Sequence, residues 1–220
     1  MAWSNAPLTR GEVESLTNVW RARGLVPVLI AVASAFAAWA LLLPVVPTAV
    51  IDADQPASLA GLSTGVFMLA TVITQVFVPK ALKTVGYRWV IAVSSLLLGI
   101  PALGYMIGME PAPLLTVSAI RGVGFGALSV AEAAIVAELV PLRLLGSATG
   151  IFGVVVGLAQ MVALPSGLAL VDVVGYNAVY IIATAIGAVS LAACFAIPTI
   201  PTPEPDAETA QSVRVPMWHL

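Results

Sequence analysis

Apolar residues fill six long stretches of the chain, at 25–50, 57–78, 89–109, 113–139, 146–170 and 176–197, and only the fourth carries charged side chains. Each stretch is long enough to cross a hydrocarbon layer of about 30 Å at about 1.5 Å per helical residue. Lipid offers the backbone no hydrogen-bond partner, so continuous apolar runs of this length predict helices, whose bonds are internal. A membrane barrel would instead show short strands of alternating character. The breaks between runs carry turn chemistry: Asp52 to Pro56, Pro79 to Lys83 with Gly86, Glu110 to Pro113, Pro141 to Arg143, and Asp172 with Gly175. The pattern predicts an all-α integral membrane protein with six transmembrane helices. Its parts are an N-terminal segment 1–24, a membrane domain 25–197 and a disordered polar tail 198–220 rich in Pro, Glu and Thr.

Composition strengthens this picture. Of 220 residues 60% are hydrophobic and 9% charged, against about 25% charged in soluble domains, and the mean hydropathy is +1.04. A net charge of −2 without any basic run excludes a nucleic-acid partner. Cys194 is the single cysteine and His219 the single histidine, so an intrachain disulfide and a histidine-based metal or catalytic site are both excluded. No cofactor motif is present, and no acid pair or Ser-His set within the runs suggests an intramembrane enzyme. The first apolar run follows about two dozen more polar residues and is too long for a signal-peptide core, so it is expected to remain as a span.

Charge sets the expected orientation. Arg10, Arg21 and Arg23 precede the first span. Lys80, Lys83 and Arg88 lie between the second and third, Arg143 lies between the fourth and fifth, and Arg214 is in the tail. The other loops hold Asp52, Asp54, Glu110 and Asp172 and no Lys or Arg. The excess of Lys and Arg on alternate loops puts both termini in the cytoplasm of a multi-pass plasma-membrane protein.

The chain also resembles itself. Gly61, Thr64, Gly65, Phe67 and Gln75 recur 85 positions later as Gly146, Thr149, Gly150, Phe152 and Gln160, and Gly86-Tyr87 recurs as Gly175-Tyr176. The second span thus matches the fifth and the third matches the sixth. Because an odd number of spans separates the copies, the pattern predicts two inverted three-helix repeats.

Candidate chemistry concentrates in the fourth run. Arg121 and Glu132 are 11 residues apart, which places them within about 20° around a helix and about 16 Å apart along it. Both are candidates for a solute or proton path, set against outward snorkelling for Arg121 and an interhelical bond for Glu132. Glu138, nearer the end of the run, suits a salt bridge to a loop. Gln75 and Gln160 either line a cavity or bond across helices. Gly122, Gly124 and Gly126 lack the spacing of a nucleotide-binding loop and read as close-packing positions. Gly146, Gly150, Gly153 and Gly157 make a smooth face, for packing within the bundle or for sliding. Pro44, Pro47 and Pro165 are expected to bend their helices.

The stretch Arg121-Gly122-Val123-Gly124-Phe125-Gly126-Ala127 resembles the fourth-helix signature of the major facilitator superfamily, particularly bacterial efflux-type members and their N-terminal half. Glu138-Leu139-Val140-Pro141 before Gly146 is similar to the loop that follows it, and Lys83 to Arg88 occupies the place of the family's loop between helices two and three. The resemblance implies a lipid-embedded transporter of a small solute, with Arg121 tied to proton coupling and Lys83, Gly86, Arg88 and Glu138 to gating. The chain departs at Pro79 (Gly in the family), at Lys83 (an acid) and at Leu145 (a base), and Gly157-Leu158 replaces the Gly-Pro of drug antiporters. The family's usual two six-helix halves imply either a homodimer or a separate second half as partner. The competing expectation is a non-transporting scaffold or accessory subunit.

Overall fold

The computed structural model describes residues 8–199, and every regular element among them is helical. A short α1 (Arg10–Glu14) and a 3-10 turn (Val19–Arg21) lead into α2 (Leu25–Asp52) and α3 (Ala57–Val85). Then come α4 (Tyr87–Gly99), continued by 3-10 turns over Ile100–Met106, α5 (Pro111–Glu138) and α6 (Leu142–Cys194). At 53 residues, a straight α6 would run about 80 Å, more than twice the hydrocarbon thickness. It breaks at Gly175, whose φ of 79° and ψ of 167° are not helical, and the two limbs on either side are separate spans. Six membrane-length segments therefore occupy the described residues, as the hydropathy pattern predicts. Arg214, His219 and the expected tail beyond residue 199 lie outside them.

Several boundaries differ from the sequence expectation. The second span does not end before Pro79 but continues through it to Val85, so Lys83 sits in the last turn of α3 and not in a loop. Proline removes one backbone donor, but the chain stops only at Gly86, where φ is 87°, a region that L side chains avoid. Likewise α6 starts at Leu142, which puts Arg143 in its first turn.

The packing is set by backbone approach. Helix α5 wedges between α3 and α4. A Cβ on Gly122 would lie 2.3 Å from the Phe67 carbonyl oxygen, and one on Gly126 2.5 Å from that of Thr71. Gly124 points about 200° away around the helix, and a Cβ there would lie 2.6 Å from the Leu98 nitrogen. The Thr71 hydroxyl donates to the Gly122 carbonyl at 3.1 Å, fastening the α3–α5 contact. Helix α2 meets the first limb of α6 in the same manner, with Gly167 against the Leu41 carbonyl. The second limb meets α4 at Gly99 and Gly187, beside a Ser95–Ser190 hydroxyl bond of 3.0 Å. Gly146, Gly150, Gly153 and Gly157 behave differently. No atom lies within 4 Å of a Cβ at any of them. They form an outward face of α6, so packing within the bundle does not describe them.

The loops sort to two ends. At one end the Arg143 guanidinium donates to the Glu14 carbonyl at 2.9 Å and to that of Leu16, and the Leu8 N–H donates to the Thr199 carbonyl at 3.2 Å. Arg88 donates to the Phe195 carbonyl at 3.4 Å at the same end. Leu8, Val19 and Ala22 join the buried cluster there, so the N-terminal segment folds back across the helix ends. At the other end the Tyr176 hydroxyl donates to Asp52 at 2.5 Å. Basic and acidic loops thus occupy opposite ends of the bundle.

Gly122→Ala is expected to lower the melting temperature of the detergent-purified protein, at a cost of about 1–3 kcal/mol for forcing two backbones apart. Gly150→Ala, which meets open space, should leave it unchanged. Thermal unfolding of the two variants side by side checks the assignment.

Candidate functional site

Arg121 is 3% exposed and buried among α3, α4 and α5. Its Nε donates to the Leu98 carbonyl at 3.0 Å. That carbonyl needs a partner because α4 gives way to 3-10 turns just beyond it, and Pro101 has no N–H to return. The Thr184 hydroxyl serves the neighbouring Gly99 carbonyl at 3.1 Å. The flat guanidinium also lies 6.0 Å from the Phe67 ring centroid and 5.5 Å from that of Tyr105, contacts that stabilise a desolvated cation. Two things remain unmet. The buried Nη2 has no hydrogen-bond acceptor among the protein groups. Among the described residues, no carboxylate lies within ion-pair distance of it.

Beside Arg121 is a cavity of about 30 Å³, walled by α2, α3, α5 and Tyr105. That volume admits about two waters or one small polar group. Trp39, Ser63, Phe67, Tyr105 and Ser118 line it with Arg121. The Tyr105 and Ser118 hydroxyls bond each other at 3.1 Å, and Ser63 donates to the Ala60 carbonyl at 2.8 Å. Trp39 stacks on Phe125 with ring centroids 4.6 Å apart, and its Nε1 is buried without a partner. Sequence reasoning did not single out Trp39, Ser63, Tyr105 or Ser118. The available signal was weak: Ser118 precedes Arg121 by nearly one helical turn, and Trp39 is the one indole inside the first apolar run.

Glu132 lies elsewhere. It is 0% exposed, with both carboxylate oxygens lacking a partner, and Leu128, Ala131, Ile135 and Val136 beside it on α5 are equally buried. Elsewhere in the same buried cluster, the Cys194 thiol donates to the Arg88 carbonyl at 3.0 Å. The fold therefore holds Arg121 and Glu132 in separate surroundings on one helix. Gln75 donates across to Ser129 on α5 at 3.3 Å, whereas Gln160 returns to its own helix at the Val156 carbonyl at 3.4 Å. At the basic end Lys83 is exposed. Arg88 stacks over Phe195 at 5.4 Å, and the Tyr87 hydroxyl approaches Glu138 at 3.5 Å. Gly86 is the left-handed hinge between α3 and α4. Among the described residues no group of His, Cys, Asp and Glu could hold a metal ion.

A family model described as Major Facilitator Superfamily matches residues 28–218, which span all six membrane segments. No curated protein matches the chain.

Arg121→Lys keeps the charge but loses the directed Nε donor. It should destabilise the protein by about 1.5–3 kcal/mol, the worth of a hydrogen bond from a charged group. A fall in melting temperature in detergent, absent in Gln160→Ala, is the expected result.

Proposed function

The chain belongs to the Major Facilitator Superfamily, and we propose that it moves a small solute across the membrane by way of the cavity at Arg121. The observation that carries the reading is the buried guanidinium with an unused donor at the edge of that cavity. A cation in hydrocarbon costs several kcal/mol unless paired or wet, and its place inside the bundle, away from lipid, suits a solute path.

The finer reading is proton-coupled efflux. Glu132 supports it: with no ion-pair or hydrogen-bond partner among the described residues, gain or loss of a proton there changes the charge of a dry interior by one unit. Such a step would favour different helix arrangements in the two protonation states. The reading of two inverted three-helix repeats also enters here. It is supported by Gly86 and Gly175, which share nearly the same backbone angles before a tyrosine (φ 87°, ψ 159° and φ 79°, ψ 167°). It is supported too by the pairing of α3 with α5 and of α2 with the first limb of α6, contacts that exchange under the repeat. In this reading a second six-helix body, another copy or a separate half, packs on the outward glycine face of α6. The basic end, with both termini, faces the cytoplasm.

Reconstituted in liposomes, Arg121→Ala should slow solute flux by about ten- to a hundredfold, the equivalent of one charge-assisted hydrogen bond. Unchanged flux would remove Arg121 from the path. Glu132→Gln should lose proton-driven accumulation while keeping solute exchange. In a Cys194→Ala background, single cysteines at Asp54, Glu110 and Asp172 should all react with an impermeant thiol reagent added outside intact cells. Reaction only after permeabilisation would reverse the proposed orientation.

A further inference from the structure

The polar atoms around the cavity are unequally matched. Several polar groups at or next to it are already bonded within the protein: Arg121 Nε donates to the Leu98 carbonyl, Ser63 donates to the Ala60 carbonyl, and the Tyr105 and Ser118 hydroxyls share one bond. Among the described residues that line it, the fully buried side-chain atoms without a partner are both N–H donors, Arg121 Nη2 and Trp39 Nε1, while the half-buried Thr64 adds a hydroxyl at its wall. Neither nitrogen can act as an acceptor. The guanidinium stays charged in any protein environment, and no carboxylate among the described residues is within ion-pair distance to offset it. Phe67 and Tyr105 approach it with ring faces, which partly shield the cation but accept no conventional hydrogen bond. Unmet buried donors each cost free energy until an acceptor arrives. A bound cation would add repulsion to Arg121 and satisfy neither donor.

We propose that this cavity binds an anionic oxygen group, the carboxylate of a small organic acid, with Arg121 Nη2 and Trp39 Nε1 as the two donors. A carboxylate has two oxygens that can each receive one of these donors, and a volume of about 30 Å³ fits its head group and little more. The rest of the solute would extend out of the cavity. The rings of Phe67 and Tyr105 in the cavity wall favour an apolar body next to the acid. This assignment rests on the reading of the Arg121 cavity as the solute path and names the solute class for it. An anionic lipid phosphate offers the same oxygen chemistry, and the test separates the two sources.

The test uses the full chain in nanodiscs of phosphatidylcholine and three solutes of similar size: propionate, propionamide and propylammonium. Saturation-transfer NMR should detect propionate on the protein, little propionamide and no propylammonium. Trp39→Phe keeps the ring and deletes one donor, and should weaken propionate by about tenfold, the value of one hydrogen bond to an anion. Arg121→Gln should abolish the signal. If that variant does not fold, Trp39→Phe decides alone. Equal binding of propylammonium, or propionate binding unaffected by Trp39→Phe, would overturn the proposal. Nanodiscs containing phosphatidylglycerol form a second arm. Loss of propionate binding there would assign the donors to a lipid head group and overturn the solute. Liposome flux separates this inference from the transport reading. Arg121-dependent flux of a neutral or cationic solute would keep transport and sink the anion assignment. Propionate binding without any flux would do the reverse.

Discussion

Hydrocarbon gives the backbone nothing to bond to, so each peptide group in the membrane must be satisfied by the protein itself. Helices meet this demand along their length, and the interest lies where a helix is interrupted. Pro101 leaves the Leu98 carbonyl without its 3-10 donor, and Arg121 reaches across to take it, while the Thr184 hydroxyl adds a bond to the neighbouring Gly99 carbonyl. The break at Gly175 lies beside an exposed side-chain bond, in which the Tyr176 hydroxyl donates to Asp52. The same constraint that makes the spans helical therefore anchors Arg121.

The nitrogens of Arg121 consequently lie in different surroundings. Its Nε is committed to the fold, while Nη2 is left over in a small cavity with the Trp39 indole. A side chain fixed by one donor presents its others in a defined direction, which is what a binding site requires. Glu132 is the complement, an acceptor without donors, buried nearer the opposite end of α5. The two are too far apart along α5 to form an ion pair with each other.

The glycines show how identical residues acquire opposite meanings. Those of α5 let three backbones come within contact distance, so a methyl group at Gly122 or Gly126 would overlap a carbonyl. Gly146, Gly150, Gly153 and Gly157 in the first limb of α6 meet nothing. In sequence both sets are small residues at helical spacing. Only the position of neighbouring helices distinguishes packing from an open face. Gln75 and Gln160 diverge for the same reason: they occupy matching positions in the repeat, yet only Gln75 has a hydroxyl opposite it on another helix.

The sequence by itself determined the membrane class, the number of spans, the sorting of acidic and basic loops and the presence of a charge at Arg121 within an apolar span, because these follow from the cost of polar groups in hydrocarbon, a cost borne residue by residue. It misjudged the end of α3 at Pro79, since a proline weakens a helix without always stopping it. It also passed over Trp39, Ser63, Tyr105 and Ser118, which come from four separate segments and look like ordinary apolar or small polar residues in each. Tertiary structure alone decided that these converge on Arg121 and that Glu132 does not. Whether a buried donor or acceptor is satisfied depends on atoms far away along the chain, and no local pattern encodes that distance.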